Sequence, residues 1–365
     1  MKKKVLLITV RADYGGGPEH VYRLMKNMDN DIEFYVACPH EEPYWDKYKQ
    51  LLGEEKLIKI PHRKFVLKSH LEILKFIKDN NIDIIHSHGK GAGIYSRLLK
   101  VLSPKRVKIV HTFHGIHLDY KNVINKVYIL IERILSRFTN EFICVSDGEQ
   151  DKVNTVKLVQ SNKLNVIVNG VEIPEDRVIN ENKTLKVVSV TRFDNQKNSK
   201  HSIEIMEELI KKPGFENATL TFIGQGSQMK ELQEYVNKKN INNNILFFGP
   251  TQYVIKEMKN HNIYLSSAKW EGMPLAVLEA MSLGLPAVLS NVVGNRDIVD
   301  HGKEGYLYDL EDVNGAVDGI IELHEKEKWI NMSNGSREKV VNKYSVQQMV
   351  KCTKQIYFKI SGVSK

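Results

Sequence analysis

The strongest constraint on the fold is a regular alternation of two kinds of segment along the chain. Short runs rich in β-branched residues alternate with longer stretches of helical periodicity, such as 18–28, 69–80 and 91–102. Alternation of this kind predicts parallel, doubly wound sheets. The predicted strands of the first part are KVLLITV (4–10), IEFYVAC (32–38), IDIIHSH (82–88), VKIVHTF (107–113), FICVS (142–146) and LNVIV (164–168).

The same pattern restarts after a polar segment, NGVEIPEDRVINENKT (169–184), which is predicted to be an exposed linker. Because a single core rarely grows beyond ~250–300 residues, a chain of 365 residues favours two domains. We therefore predict two Rossmann-like domains, over residues 1–170 and 171–344. The second set of strands is LKVVSVTRF (185–193), ATLTFIG (218–224), NILFFG (244–249), NIYLSSA (262–268) and PAVLS (286–290).

Composition and the start of the chain both favour a cytoplasmic protein. The 42% of hydrophobic and 27% of charged residues are typical of a soluble globular chain, and no run of about 20 apolar residues occurs. The segment MKKKVLLITV is predicted to be a strand and not a signal peptide, because its apolar run is short and passes into a glycine turn. Cys38, Cys144 and Cys352 lack metal-ligand spacing and are predicted to be free thiols.

The net charge of +9 is concentrated in the N-terminal part of the chain. Residues 1–170 hold 28 Lys and Arg against 19 Asp and Glu, whereas the rest of the chain holds 25 of each. Such a charge attracts nucleic acid, an anionic membrane surface or an anionic substrate, although solubilising lysines explain much of it equally well. Nucleic acid is disfavoured, because the aromatic residues are not interleaved with the basic ones as stacking platforms.

Polar residues and glycines follow the predicted strands. Because open α/β sheets bind ligands beyond the carboxyl ends of their strands, we expect these residues to form the site. They are Gly15–Pro18, His86, His88, HTFHG (111–115), Ser146-Asp147, Arg192 with Lys197, Gly224–Gly226, Gly249-Pro250 and Trp270–Gly272.

Two of these segments suit an anionic ligand. Gly15–Gly17 precede a helix predicted to open at Pro18, so the backbone can approach a phosphate, although a purely structural turn is equally compatible. The segment lacks the dinucleotide-binding G-x-G-x-x-G spacing. Arg192 and Lys197 share one loop and suit a diphosphate, with solvated surface charge as the alternative.

Two glutamates bracket a Gly-Met-Pro turn in NIYLSSAKWEGMPLAVLEAMSLGLPAVLS (262–290). A helix is predicted from Pro274 to a Gly284 cap, with Glu271 in the preceding loop and Glu279 between one and two turns into the helix. The free N–H groups of the first turn suit a phosphate, and the carboxylates suit sugar hydroxyls. A plain surface helix does not explain why Glu279 interrupts the apolar run PLAVLEAM.

The block EGMPLAVLEAMSLGLPAV resembles the Glu-x7-Glu signature of retaining glycosyltransferases of the GT-B fold, specifically family 4, the group 1 family. The resemblance covers nearly the whole chain, with GGGPEHVYRL, IDIIHSHG, VHTFHG, NGV and VSVTRFDNQKN as further matching segments. Two positions depart from the family pattern. Asn198 follows the lysine where glycine is usual, so the backbone of that loop is expected to differ, and Val168 replaces a common proline.

The resemblance implies a role for each matching residue. Arg192 and Lys197 neutralise the donor diphosphate, Glu271 holds the sugar hydroxyls, and Glu279 accepts from the ribose. His114 lies near the reacting sugar, whereas His86 and His88 are expected to be structural. The donor-binding set consists of Gly16, Gly17, Gly224, Gly272, Met273, Pro274, Leu275 and Glu279.

The same resemblance implies the architecture and the reaction. Two Rossmann-like domains face each other across a cleft, and a C-terminal helix at 345–365 completes the first. The resemblance implies that a sugar passes with retention from a nucleotide-sugar, expected to be a UDP-sugar. The basic charge of the N-terminal part and residues 120–138 predict that the acceptor is a lipid-linked or cell-surface glycan. No metal or other cofactor is expected, because Arg and Lys supply the positive charge. A nucleotide-sugar 2-epimerase or hydrolase on the same fold is the alternative.

Residues 120–138, YKNVINKVYILIERILSRF, combine apolar residues at helical spacing with basic residues. A core-facing helix and a helix on an anionic membrane surface explain this pattern equally well. The second alternative predicts an enzyme at the inner face of the cell membrane.

Overall fold

The chain forms two compact units in a computed structural model that describes residues 2–103, 107–116, 123–179 and 184–362, with the side chains of 123–125 left out. Residues 1–170 and 346–365 form the first, here called the N-terminal unit. Residues 171–345 form the second, the C-terminal unit.

The N-terminal unit is built on a seven-stranded sheet in the order β3-β2-β1-β4-β5-β6-β7. All of its neighbouring strands pair in parallel. Residues 5–8 of β1 are completely buried, as in a sheet covered on both faces by helices. The strands are β1 Lys3–Thr9, β2 Ile32–Cys38, β3 Leu57–Lys59, β4 Ile84–His88, β5 Lys108–Thr112, β6 Glu141–Cys144 and β7 Leu164–Val166.

Among its described residues, this unit has seven α-helices, six from the N-terminal segment and one from the end of the chain. They are α1 Gly16–Lys26, α2 Tyr44–Leu52, α3 Leu67–Asn80, α4 Gly89–Leu102, α5 Val123–Leu135, α6 Asp147–Thr155 and α14 Val346–Ile360. The apolar face of α14, which includes Met349, Val350 and Tyr357, packs into the same core as Tyr48 of α2. The polypeptide therefore returns to the N-terminal unit after the C-terminal unit is complete.

The C-terminal unit contains a six-stranded parallel sheet in the order β10-β9-β8-β11-β12-β13. Its strands are β8 Lys186–Val190, β9 Thr219–Ile223, β10 Ile245–Gly249, β11 Ile263–Ser266, β12 Ala287–Ser290 and β13 Gly305–Tyr308. Its helices are α7 Ser199–Leu209, α8 Met229–Lys239, α9 Val254–Met258, α10 Leu275–Ser282, α11 Val293–Arg296, α12 Val313–Glu322 and α13 Lys326–Lys343.

Three sequence-based predictions differ from the observed elements. Strands β3 and β13 were not predicted, because β3 contains a lysine and follows the charged segment EEK, and β13 begins at a glycine. The segment after Val168 is not a wholly exposed linker: Val171 is buried, and its N–H donates to the Tyr344 carbonyl at 2.9 Å.

Helix α5 presents apolar side chains to solvent. The segment predicted over 120–138 forms α5 and then a 3-10 turn at Ser136–Phe138, and its residues 120–122 lie outside the described part of the chain. The face toward the unit carries Ile129 and Glu132, and the buried Glu132 carboxylate pairs with Arg97 at 3.0 Å. Four apolar side chains on the other faces are 45–57% exposed: Val127, Leu130, Ile131 and Ile134.

The two units differ in charge. The N-terminal unit holds 32 basic and 19 acidic residues and the C-terminal unit 21 and 25, so that their net charges are +13 and −4. Within the described residues, no helix combines the length and the apolar character needed to cross a bilayer.

Candidate active site

The loop after β8 holds its two cations through Asp194. One Asp194 oxygen pairs with the Arg192 guanidinium at 2.8 Å, and the other accepts the Lys197 backbone N–H at 3.0 Å. The Gln196 side chain accepts from Arg192 at 3.3 Å and donates to the Trp270 carbonyl at 3.0 Å. These bonds fix the loop and connect it to the segment that carries Glu271.

Asn198 follows Lys197 at the position where the family usually has glycine. It adopts a left-handed backbone with φ 52° and ψ 42° and forms the N-cap of α7. Glycine favours this conformation, and asparagine is among the few other residues that adopt it readily. Asn198 can therefore supply the backbone geometry of a glycine. The change in the loop backbone that we expected from this departure does not follow from the substitution.

Lys197 and Glu271 form an ion pair, with Nζ and Oε1 2.5 Å apart. The Glu271 side chain is only 8% exposed, so an unpaired carboxylate there would be costly. The pair joins the loop after β8 to the loop before α10. It brings two of the predicted site residues together in one unit.

Helix α10 begins at Leu275, one residue later than predicted, and Pro274 is its N-cap. No side chain caps this N-terminus, so the backbone N–H groups of its first turn are available to an anion. Met273 and Leu275 are buried and anchor the turn. The helix ends at Ser282, and Gly284, two residues later with φ 80°, provides the predicted termination.

The phenol of Tyr264 on β11 is influenced by the charges of both glutamates. Burial raises the pKa of its phenol, and the charges of Glu271 and Glu279 raise that pKa further. Glu279 is half-buried on α10. Both carboxylates therefore lie close enough to this phenol to raise its pKa.

Glycines pack the neighbouring loops against the two charged segments. A Cβ at Gly224 would lie 1.8 Å from the Thr191 carbonyl oxygen, so packing alone accounts for this glycine, and its donor-binding role stays a prediction. Sequence reasoning missed Gly294 of α11, where a Cβ would lie 2.5 Å from the Gly272 carbonyl oxygen. No motif marks Gly294; only the close approach of α11 to the Gly272 turn reveals it.

In the N-terminal unit, α1 begins at Gly16, two residues before the predicted start at Pro18. Proline fits in the first turn because its missing N–H has no partner within the helix. The N-terminus has no side-chain cap, Gly16 is exposed, and no atom lies within 4 Å of a Cβ built on Gly17. Packing does not explain Gly17, and its contact with a phosphate stays a prediction.

His114 lies in a histidine cluster on the same edge of the sheet. Its φ of 60° is unusual for a residue other than glycine. Its Nε2 is 3.0 Å from Nδ1 of His88, and the His20 ring packs edge-on at 4.7 Å between ring centroids. His88 was expected to be structural only, but it contacts the predicted catalytic histidine directly.

Glu149 holds the His114 loop and was missed by the sequence analysis. Its buried carboxylate accepts the N–H groups of Gly115 and Val145, while its own N–H donates to the Ser146 hydroxyl. Serine at the N-cap with glutamate three residues later is half of a capping box. That spacing is visible in the sequence and would have marked this position.

Both ring nitrogens of His86, which was expected to be structural, are hydrogen-bonded within the N-terminal unit. One ring nitrogen bonds the Tyr357 hydroxyl at 2.7 Å and the other bonds the Thr112 hydroxyl at 2.8 Å. His111 bonds the Ser87 hydroxyl at 2.9 Å. Burial lowers the pKa of His20 to about 4. Burial also lowers the pKa values of the other cluster members well below 6.5; these are His86, His88, His111 and His114. The cluster is therefore neutral at pH 7.

Two family models match this chain. The model described as Glycosyltransferase Family 4 matches residues 14–174, and the model described as Glycosyl transferases group 1 matches residues 172–342. The chain belongs to the group 1, family 4 glycosyltransferases. This glycosyltransferase is 26% identical to a UDP-Gal:alpha-D-GlcNAc-diphosphoundecaprenol alpha-1,3-galactosyltransferase of Escherichia coli, over 80% of this chain and 79% of the relative.

A second relative and a solved structure are also similar to this glycosyltransferase. The capsular polysaccharide biosynthesis glycosyltransferase CapH of Staphylococcus aureus is 25% identical, over 82% of this chain and 85% of the relative. The crystal structure of Anabaena HepE in complex with UDP and glucose matches 99% of this chain and 100% of that chain, at a TM-score of 0.84 and 15% identity. The predicted GT-B fold is confirmed.

The histidine cluster predicts that the N-terminal unit of this glycosyltransferase loses stability in mild acid. The buried rings stay neutral in the native state, whereas unfolding exposes them with a pKa near 6.5. As the pH falls below 6.5, the unfolded state binds protons that the native state does not. For each such histidine we expect a loss of about 1 kcal/mol between pH 7.0 and pH 5.5.

Hydrogen exchange measured by mass spectrometry at pH 7.0 and 5.5, corrected for intrinsic rates, tests this prediction. Core peptides of the N-terminal unit should lose more protection than those of the C-terminal unit. The latter has one histidine with a lowered pKa among its described residues, His261. An equal loss of protection in both units would show that the buried cluster does not control acid stability.

Proposed function

We propose that this glycosyltransferase is a retaining enzyme that transfers a sugar from a UDP-sugar to a lipid-linked or cell-surface glycan in capsule or lipopolysaccharide biosynthesis. The observation that carries the proposal is the Lys197–Glu271 ion pair beside the uncapped N-terminus of α10. It combines cations, free N–H groups and hydroxyl acceptors, which are the groups that a sugar diphosphate requires.

In this proposal the donor is held by three kinds of contact. Arg192 and Lys197 neutralise the diphosphate and the charge that develops on it as the bond to the anomeric carbon breaks. Glu271 accepts from the donor sugar, and Glu279 accepts from the ribose. The preorganised cations supply the electrostatic stabilisation that a metal provides in other transferases, so no metal is required.

The donor and acceptor classes are supported by the relatives. The Escherichia coli relative is named for UDP-Gal and a diphosphoundecaprenol-linked acceptor, HepE was crystallised with UDP and glucose, and the Staphylococcus aureus relative is named for capsular polysaccharide biosynthesis. The acceptor is proposed to bind the N-terminal unit, in which the family resemblance implies a place for His114 near the reacting sugar.

A lipid-linked acceptor gives a reason for the exposed apolar face of α5. Val127, Leu130, Ile131 and Ile134 lie at helical spacing, and the exposed Lys126 and Arg137 flank them. A unit with a net charge of +13 is attracted to anionic lipid. We propose that this face rests on the inner surface of the cell membrane without crossing it.

Replacing Glu271 and replacing Glu279 are expected to affect different quantities, turnover in the first case and UDP affinity in the second. Glu271→Gln keeps a hydrogen-bonding side chain beside Lys197 but loses the charge toward the sugar. Turnover should fall about 10²–10³-fold while the affinity for UDP changes little. Glu279→Ala removes the ribose acceptor and should weaken UDP binding by about 1–2 kcal/mol.

UDP release from a panel of UDP-sugars and titration calorimetry with UDP measure these two effects. Glu257→Ala on α9 is the matched control, and it should leave both quantities unchanged. An equal loss of UDP affinity in Glu271→Gln and Glu279→Ala would contradict the proposed division of roles.

Membrane binding is expected to depend on both parts of the α5 face. Lys126→Glu with Arg137→Glu should weaken binding to phosphatidylglycerol vesicles at least ~30-fold, at about 1 kcal/mol per lost basic residue. Leu130→Gln with Ile134→Gln should also release the protein, because apolar contact with the bilayer is lost. Donor hydrolysis should be unaffected in both variants.

Vesicle co-sedimentation at low and high salt measures the binding. Leu246→Gln provides the matched control, since Leu246 is 46% exposed on β10 of the acidic C-terminal unit. If the unaltered protein fails to bind anionic vesicles at low salt, α5 does not contact the membrane and a soluble acceptor takes the place of the lipid-linked one.

A further inference from the structure

Three imidazoles converge at the carboxyl edge of the N-terminal sheet. They belong to His20 on α1, His88 at the end of β4 and His114 after β5. One nitrogen of each lies within 4.8 Å of the corresponding nitrogens of the other two. Three elements that are distant in sequence thus present one nitrogen each to a common point.

The spacing of one pair is close to that of two ligands on one ion. His88 Nδ1 and His114 Nε2 are 3.0 Å apart. Two imidazole nitrogens at about 2.0–2.1 Å from a tetrahedral zinc ion lie about 3.3 Å from each other. In the metal-free pair one nitrogen carries a proton and donates to the other, and an ion would replace that proton.

The third imidazole is oriented by a hydrogen bond on its far side. His20 Nδ1 is 2.9 Å from the side-chain oxygen of Asn169. An amide oxygen can only accept, so Nδ1 carries the proton and Nε2 keeps its lone pair. A hydrogen bond of this kind behind a histidine is the usual way in which proteins orient a metal ligand.

The neighbouring His86 differs from this trio in its hydrogen bonds. Both nitrogens of His86 are engaged by hydroxyl groups, so it has no lone pair to offer. His88 and His20 are 4% and 3% exposed, and His88 Nε2 has no hydrogen-bond partner in the described part of the chain. When Nδ1 of His88 holds an ion, the proton of that ring lies on Nε2.

We propose that His20, His88 and His114 form a binding site for a first-row transition metal ion, with Zn²⁺ as the reference ion. Three neutral imidazoles select Zn²⁺, Co²⁺, Ni²⁺ or Cu²⁺ over Mg²⁺ and Ca²⁺, which prefer oxygen ligands. A three-histidine set leaves a fourth position open to water or a ligand hydroxyl.

The proposed ion would act as an inhibitor of transfer. Under the proposed function His114 lies beside the reacting sugar, so an ion bound to its Nε2 competes with the sugar for the same space. This consequence rests on the proposed function, whereas binding of the ion does not.

Metal binding is tested first without any substrate. Full-length, tag-free protein is stripped with a chelator and titrated with ZnCl₂ in competition with a chromophoric chelator, with MgCl₂ as a parallel titrant. We expect one Zn²⁺ per chain, no binding of Mg²⁺, and intense visible absorption bands of four-coordinate Co²⁺ when CoCl₂ is added. Failure to bind Zn²⁺ in this titration overturns the proposal.

Three variants locate the site. His20→Asn and His114→Gln each remove a ligand, and each should lower Zn²⁺ affinity at least 100-fold. Asn169→Ala leaves all three ligands in place and should lower it 10–100-fold by releasing His20. His62→Gln is the control, because His62 belongs to a separate group with Asp13 and Glu41 and is already paired with Glu41.

Circular dichroism verifies that each variant is folded, and Asn169→Ala keeps the test decisive if a ligand variant unfolds. Wild-type affinity in folded His20→Asn and His114→Gln, or loss of binding in His62→Gln, would overturn the proposed site. If Zn²⁺ binds with the expected pattern but does not inhibit UDP-sugar turnover, the site stands and the placement of His114 beside the sugar is wrong.

Discussion

The Lys197–Glu271 ion pair is the interaction on which the account of the C-terminal unit depends. It joins the loop after β8 to the loop before α10 at 2.5 Å, and it neutralises a carboxylate that is only 8% exposed. Without the lysine, Glu271 would be a buried charge without compensation, at a cost of about 3–5 kcal/mol. The pair thus holds a cation and a carboxylate side by side, ready for a ligand that carries both phosphate and hydroxyl groups.

The candidate site residues of the N-terminal unit are neutral imidazoles, whereas those of the C-terminal unit are charged side chains. Burial keeps the histidines neutral, Glu149 fixes the backbone around Gly115, and the histidine rings contact one another. Neutral imidazoles can approach a sugar without the strong desolvation penalty of a charged group. Their lone pairs are also the reason that the same cluster suits a transition metal.

Much of the fold could be predicted from the sequence, because strands buried on both faces appear as continuous apolar runs. Strands β3 and β13 could not, since their segments LIK and GYLY include a lysine or a glycine and lack a continuous apolar run of the length seen in the predicted segments. The placement of Glu271 before α10 was predictable from the Gly-Met-Pro turn, and that of Glu279 on α10 from the apolar run that it interrupts. Gly294 and the convergence of His20 with His88 were not, because they depend on contacts between elements that are remote in sequence.

The measurement that tests the central claim most directly is calorimetric titration of UDP and uridine into the unaltered protein, Lys197→Gln and Lys269→Gln. Glutamine at 197 keeps a hydrogen bond to Glu271 while it removes the charge, and Lys269 is a neighbouring cation that bonds Asn195 instead. The account predicts that Lys197→Gln binds UDP about 1.5–3 kcal/mol more weakly and uridine unchanged, and that Lys269→Gln resembles the unaltered protein. Equal UDP affinity in Lys197→Gln and the unaltered protein would contradict it.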